Sequence, residues 1–271
     1  MAGVTNYRFQ LEPVAAARRY EADIAADRLV LVGDFGGGTS DFGVIRVGPG
    51  RLDRADRDAD VLAVEGVGRA GDYLDGRFMS GFLVPFFGKG APYRKRYTDE
   101  LVPWKSSLFT DITRLYDLHR LRDDQVRRGL EFMQTRLVQP VHAERLQRLV
   151  FDDLGFPMAH AVEVSKKALS TSDEASFVFD AFHSDALDFE TTVDIDTFRA
   201  HSKRVLASYD DAITAVLASA GVTEDDIGNV FLTGGTSQLP FVRELFARRF
   251  GEDRIAEADA LTSVAVGLAL S

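Results

Sequence analysis

Residues 29–47 read LVLVGDFGGGTSDFGVIRV, and this stretch decides the fold. Apolar, β-branched runs flank the segment Asp34-Phe35-Gly36-Gly37-Gly38-Thr39-Ser40-Asp41. That pattern predicts two strands, Arg28–Gly33 and Asp41–Val47, joined by a glycine-rich turn. Three glycines let the backbone turn tightly and bring several N–H groups up to an anion with no Cβ in the way. Thr39 and Ser40 add hydroxyl donors, and Asp34 and Asp41 are hard oxygen ligands suited to Mg²⁺ or its water shell. No Gly-Lys-Ser/Thr closes the loop, which excludes a Walker A motif. A strand rather than a helix follows, which excludes a Rossmann turn.

Outward from this centre, residues 13–25 read as a short helix with Pro13 in its first turn, where a missing N–H costs nothing. Residues 48–60 turn to Pro, Gly and charge, a loop, before a further strand at Val61–Val67. From Gly71 to Lys167 helical spacing dominates, as in Leu115, Leu118, Leu121 and in Leu130, Phe132, Met133, Leu137. Strand alternation returns at Ala175–Phe182 and Ala186–Ile195. A long helix over Asp196–Ala220, a strand at Asn229–Thr233 and a helix at Leu239–Arg249 complete the order. The expected fold class is α/β. Its inner core, 1–61 with 197–271, is interrupted by a mostly helical α+β subdomain, 62–196.

A second glycine motif closes the core. VFLTGGTSQLPFVRELFARRF, residues 230–250, reads as strand, Gly234-Gly235 turn, N-cap candidates Thr236 and Ser237, then a helix with Pro240 in its first turn. Gly-Gly at a strand end lets a flat ring or a ribose lie against backbone. In the inserted part, Glu163, Lys166, Lys167 and Ser170 fall at i, i+3, i+4 and i+7, so one helix face carries an acid, two ammoniums and a hydroxyl. Asp72 and Asp75 read equally as caps, turn makers or ligands. The interleaved Tyr93-Arg94-Lys95-Arg96-Tyr97 reads as a solvated loop on so acidic a chain, and His119 and His142 as structural.

The bulk numbers bound the rest. The 271 residues, 45% hydrophobic, are enough for a sizeable core. With 42 acidic against 32 basic residues the formal charge is −10, a field that repels phosphate backbones, so nucleic acid is not an expected partner. There is no cysteine, which excludes a disulfide framework and a thiolate metal site. No secretory leader is visible and no apolar run approaches a membrane span, so a cytoplasmic protein away from the membrane is expected.

The motifs carry a resemblance. DFGGGTSDF (34–42) is similar to the second phosphate motif of the heat-shock 70 chaperones, in the actin-like superfamily with its ribonuclease H-like fold. Glu12-Pro13-Val14-Ala15-Ala16-Ala17 resembles that family's EPTAAA segment, EVSKKALS (163–170) its adenosine-gripping ExxKRxLS segment, and GVGRAGDYLDGRF (66–78) its GGxDFD segment. The long helical middle looks like the YegD-type putative chaperones of that family.

The resemblance implies an ATP/ADP and Mg²⁺ site. Glu12, Asp34 and Asp41 would stand around the metal and attacking water, and Gly36, Gly37, Gly38 and Thr39 on the phosphates. Glu163, Lys166, Lys167, Ser170, Gly234, Gly235 and Gln238 would stand around the adenosine. It implies a client or co-chaperone as protein partner. It also places Gln238 where the family carries an adenine-stacking arginine, and Leu261 where it carries an aspartate.

By the same resemblance the chain corresponds to the second lobe of the nucleotide-binding domain. On that reading the first phosphate hairpin and the peptide-binding domain are expected to lie outside this sequence, so the chain alone is expected to be a poor ATPase. The rival reading is a non-catalytic actin-like module that binds a protein. Two further expectations follow: the Asp34–Asp41 hairpin tip faces the Gly234–Gly235 turn across one cleft, within about 20 Å, and Lys166→Ala and Ser170→Ala weaken nucleotide binding without unfolding the chain.

Overall fold

A computed structural model describes residues 25–51, 57–68, 70–98 and 100–256. The described chain divides into two compact units: one holds the described residues up to Gly71 and those from Val205 onward, the other Asp72–Arg204.

The first unit is built on a five-stranded mixed sheet. Its strands are β1 (Arg28–Phe35), β2 (Ser40–Val47), β3 (Val61–Val67), β8 (Ile227–Thr233) and β9 (Ile255–Ala256), in the spatial order β3-β2-β1-β8-β9. β1, β2 and β3 form an antiparallel meander, as the glycine turn requires, while β8 and β9 run parallel to β1 and to each other. Alternation sorts the side chains onto two faces. On one face Phe35 and Phe42 meet Tyr209 of helix α5 (Ile195–Ala220) and Phe246 of helix α6 (Pro240–Phe250), with ring centroids 5.3–6.2 Å apart. Gly33 makes room for this cluster: a Cβ there would lie 3.2 Å from Leu232 and within 3.5 Å of both phenylalanine rings. The other face buries Val30, Val32, Ile45, Val47 and Phe231.

Ser40 and Tyr209 are the polar members of the aromatic face. The Ser40 hydroxyl donates to the Tyr209 oxygen at 3.3 Å, and both residues are fully buried. Burial pushes the tyrosine hydroxyl up to about 12, with the serine contact pulling the other way.

The second unit begins in α1 (Gly71–Phe78), which runs on into a π turn at Met79–Leu83 and a 3₁₀ turn at Val84–Phe87. Gly88 ends that run at φ +100°, where a Cβ would strike the Trp104 ring at 2.6 Å. A short hairpin follows, β4 (Pro92–Arg94) with β5 (Leu101–Pro103), inside the stretch that sequence alone reads as helix and loop. Then come α2 (Asp124–Arg136), α3 (Val141–Phe151) and α4 (Gly155–Ala168), and the hairpin of β6 (Glu174–Phe179) with β7 (Phe189–Asp194). Asp123 caps α2, accepting from the Gln125 and Val126 amides at 2.8 and 2.9 Å. Phenylalanines 78, 177, 189 and 198 form the aromatic centre of this unit.

Candidate functional site

In a parallel β1–β8 pair the two carboxyl ends point the same way, and ligands of α/β sheets gather outside such ends. β1 ends at Phe35 and β8 at Thr233, and Asp34 stands in register with Thr233. The turn Gly36–Thr39 and the turn Gly234–Gln238 therefore leave the same end of the sheet, side by side. They touch: a Cβ on Gly234 would overlap the Phe35 carbonyl oxygen and lie 2.8 Å from its carbonyl carbon. Gly234 also sits at φ +88°, open to glycine and strained for other residues. Two motifs separated by 193 positions (Asp41 to Gly234) are thus one piece of surface, well inside the expected 20 Å.

Around the first turn, Gly36 N donates to Thr39 O at 3.0 Å, and Gly71 N donates to Gly36 O at 3.1 Å, tying the turn to the start of α1. Gly36, Gly37, Gly38 and Thr39 are exposed, and among the described residues no atom beyond the chain neighbours lies within 4 Å of where a Cβ would stand on Gly38 or Gly235. Backbone N–H groups on such a turn are free of side-chain obstruction from their own residues.

Asp34 and Asp41 are directly opposite each other across β1 and β2, and Asp41 is opposite Gly66 of β3. Since opposite residues share a face, Gly66, Asp41, Asp34 and Thr233 form one row across four strands. Both aspartates are half-buried. Thr39 donates its hydroxyl to Asp41 Oδ2 at 3.0 Å, and Asp41 Oδ1 lies where a Cβ on Gly66 would press at 2.9 Å. Two like charges directly opposite on one face are unfavourable unless a cation or proton sits between them. Among the described residues no group of three or more His, Cys, Asp or Glu is placed to hold a metal. The row therefore does not fit a metal held by protein ligands alone. It fits Mg²⁺, which takes one or two carboxylates and completes its octahedron with water and phosphate oxygens.

The second motif differs locally from expectation. Thr236 and Ser237 do not cap α6, because a 3₁₀ turn, Gly235–Gln238, intervenes and Leu239 takes the cap position without a side-chain bond. The Ser237 hydroxyl instead donates to the Gly234 carbonyl at 2.6 Å, bracing the turn. Gln238 is exposed at its end.

The lysine face lies on α4 in the second unit. Lys167 pairs with Glu163 at 2.9 Å, both largely exposed, and this contact holds the Glu163 carboxyl below its usual range. Lys166 is different. It is hydrogen-bonded and ion-paired to Asp75 of α1, with side-chain exposures of 16% and 7%. Burial raises the Asp75 carboxyl above the ordinary carboxylate value while Lys166 pulls it down. Asp72 is raised by burial as well, and the Tyr116 hydroxyl is raised by burial and then by Asp75, Asp72 and Glu163. Ser170, two residues past the end of α4 and so not on its face, donates to the Lys166 carbonyl at 3.2 Å.

Lys166 is therefore part of a buried ion pair, so its removal would leave an unpaired buried carboxylate and lower stability as well as any contact it makes with nucleotide. Nothing in the spacing of α4 could reveal Asp75, which lies 91 positions away. Glu12 and Leu261 fall outside the described residues, as does the helix expected at 13–25 apart from its last residue.

Comparison with known proteins agrees with the motifs. The Hsp70 protein family model matches residues 157–271. Among similar curated proteins, the chaperone protein dnaK1 of Prochlorococcus marinus is 28% identical over 270 residues, covering 98% of this chain and 32% of that protein. An HscA homolog of Cupriavidus metallidurans is 25% identical over 270 residues, and one from Burkholderia multivorans 27% over 271, each covering all of this chain and 33% of the relative. The chain thus spans about a third of the length of the curated relatives it matches. The glycine turn, the Gly-Gly turn beside it and these matches lead to one conclusion: the chain is similar to the Hsp70 family of chaperones.

Proposed function

We propose that this chain is the ATP-binding portion of a heat-shock-70-like chaperone ATPase, in the YegD-type branch, acting in the cytoplasm with a client or co-chaperone as protein partner. The single observation that carries the nucleotide reading is the contact between the two motifs. An exposed three-glycine turn and a Gly-Gly turn leave the same sheet end, with two carboxylates aligned beneath them. In this reading the Gly36–Thr39 turn, braced by its Gly36 amide, offers the amides of Gly37, Gly38 and Thr39 to phosphate oxygens, and Asp34 and Asp41 orient the metal's water shell. Gly234 and Gly235 accept the ribose or ring against bare backbone, and Glu12 lies near the metal. Bound Mg²⁺ would neutralise phosphate charge, so that phosphoryl transfer to water rests on positioning and electrostatics rather than covalent chemistry. Glu163, Lys166, Lys167, Ser170 and Gln238 would contact the adenosine, with Gln238 offering a hydrogen bond in place of cation–π stacking.

The domain reading proposed with it is an actin-like core, 1–61 with 197–271, carrying an inserted subdomain, 62–196. Calorimetric titration of the purified chain with ADP and with ATP, with and without Mg²⁺, tests the function. The expected result is a dissociation constant on the order of tens of micromolar or weaker, tightened by Mg²⁺. Absence of binding at millimolar nucleotide in either condition would leave the protein-binding actin-like module as the better reading.

A further inference from the structure

The β4–β5 hairpin is a basic island on an acidic protein. Lys89, Arg94, Lys95, Arg96 and Lys105 stand against Asp99 and Glu100, so residues 89–105 hold a surplus of three positive charges in a chain of net −10. All five cations are exposed. Lys95 forms an exposed pair with Glu100 at 2.8 Å that solvent screens.

Apolar side chains surround the charges. Tyr97, at the hairpin tip, is 87% exposed, with the Arg96 guanidinium 5.4 Å from its ring centroid. Leu101, in register with Arg94, is 49% exposed. Val138, whose amide donates to Pro92 O at 3.0 Å, is 50% exposed. Arg136 seals the hairpin to α2 by donating to the Arg94 and Lys95 carbonyls. Phe132, one turn earlier on the same side of that helix, is 45% exposed. Four of the nine exposed large apolar residues among those described are therefore on or beside this hairpin, a concentration that single scattered residues would not produce.

We propose that this hairpin is a docking surface for a short acidic segment of a partner protein, with apolar side chains among its acids. The charge contrast selects the partner's sign, because a chain of net charge −10 disfavours an acidic segment away from such a local surplus of cations. The size of the patch selects a peptide over a nucleic acid. A polynucleotide carries dense charge well beyond a hairpin's width and would meet the surrounding negative field. The aliphatic surfaces of Leu101 and Val138 suit leucine-like side chains better than they suit base faces.

The test uses fluorescence polarisation on the purified chain. The probes are a short labelled peptide of alternating glutamate and leucine, a lysine–leucine peptide of equal length, and a single-stranded oligodeoxynucleotide. The glutamate peptide should bind, and added salt should weaken it. The double variant Arg94→Glu/Arg96→Glu should weaken it by about tenfold or more, and Tyr97→Ala by several-fold. All these positions are exposed, and circular dichroism checks that the variants stay folded. No binding of the glutamate peptide, equal affinity in both variants, or tighter binding of the oligonucleotide would each overturn the proposal.

Discussion

The sheet end of the first unit and the lysine face of the second are both read from motifs, yet they are built by opposite means. At the sheet end the chemistry rests on backbone: strand register aligns the two aspartates, and glycines keep the surface bare. On α4 it rests on side chains that already hold one another, Lys166 with Asp75 and Lys167 with Glu163. A motif made of backbone is complete as soon as the strands pair. A motif made of long side chains has its partners chosen by packing, and one of those partners came from another helix. The comparison teaches that adjacent lysines on one helix face have different physical roles, one buried structural and one at the surface.

The largest effect that could break this contrast is Gly234→Ala. The new methyl would overlap the Phe35 carbonyl at a positive φ, so a loss of about 3 kcal/mol or more is expected in urea unfolding. A loss under about 1 kcal/mol would show that the two turns are not in contact.

Next is the pair of lysines. Lys166→Ala should cost about 3 kcal/mol by leaving Asp75 buried without its partner, while Lys167→Ala should change stability by less than about 0.5 kcal/mol. The double variant Lys166→Met/Asp75→Leu should recover most of the loss. Equal effects of the two lysine variants would erase the distinction drawn above.

A third test uses pH. Tyr209 holds its proton more tightly when folded, near 12 against an ordinary 10, so its contribution is complete below pH 10. It is lost as pH rises through 12, by about 2–3 kcal/mol in all. Denaturant unfolding at stepped alkaline pH should show that slope, and Tyr209→Phe should flatten it.

The smallest effect sharpens the comparison at the sheet end. Asp41→Asn keeps an acceptor for the Thr39 hydroxyl and removes one of two opposed charges. Metal-free stability should rise by a few tenths of a kcal/mol, while any tightening of nucleotide binding by Mg²⁺ should fall about tenfold.

Much of the first unit was legible because its signals are local. Alternation and β-branching mark β1, β2 and β3 to within a residue or two, and the length and spacing of the 195–220 stretch mark its helix. The glycine turns were legible because few other residues can occupy them. What was not legible depended on distant parts of the chain. The β4–β5 hairpin has three residues per strand and a proline in each, too little for alternation to show. Ser237 looked like a cap, and only the intervening 3₁₀ turn redirects its hydroxyl to Gly234. Gly66 carries no mark of its own until register sets it opposite Asp41.

The pairing of β1 with β8 has a consequence in time. These central neighbours are joined by a side-chain bond between Arg28 and Asn229, 201 positions apart. Bringing such distant segments together costs loop-closure entropy before any contact rewards it, which slows folding. The intervening chain can shorten that search by folding first: once residues 72–204 are compact, far less free chain separates the two strands. The β1–β2 hairpin, joined by the four-residue turn Gly36–Thr39, can wait as a preformed template. The parallel join, and with it the contact of the two glycine turns, is then the last event at the centre of the sheet. The surface made by the two glycine turns therefore cannot assemble until β8 and the Gly234–Gln238 turn have been synthesised.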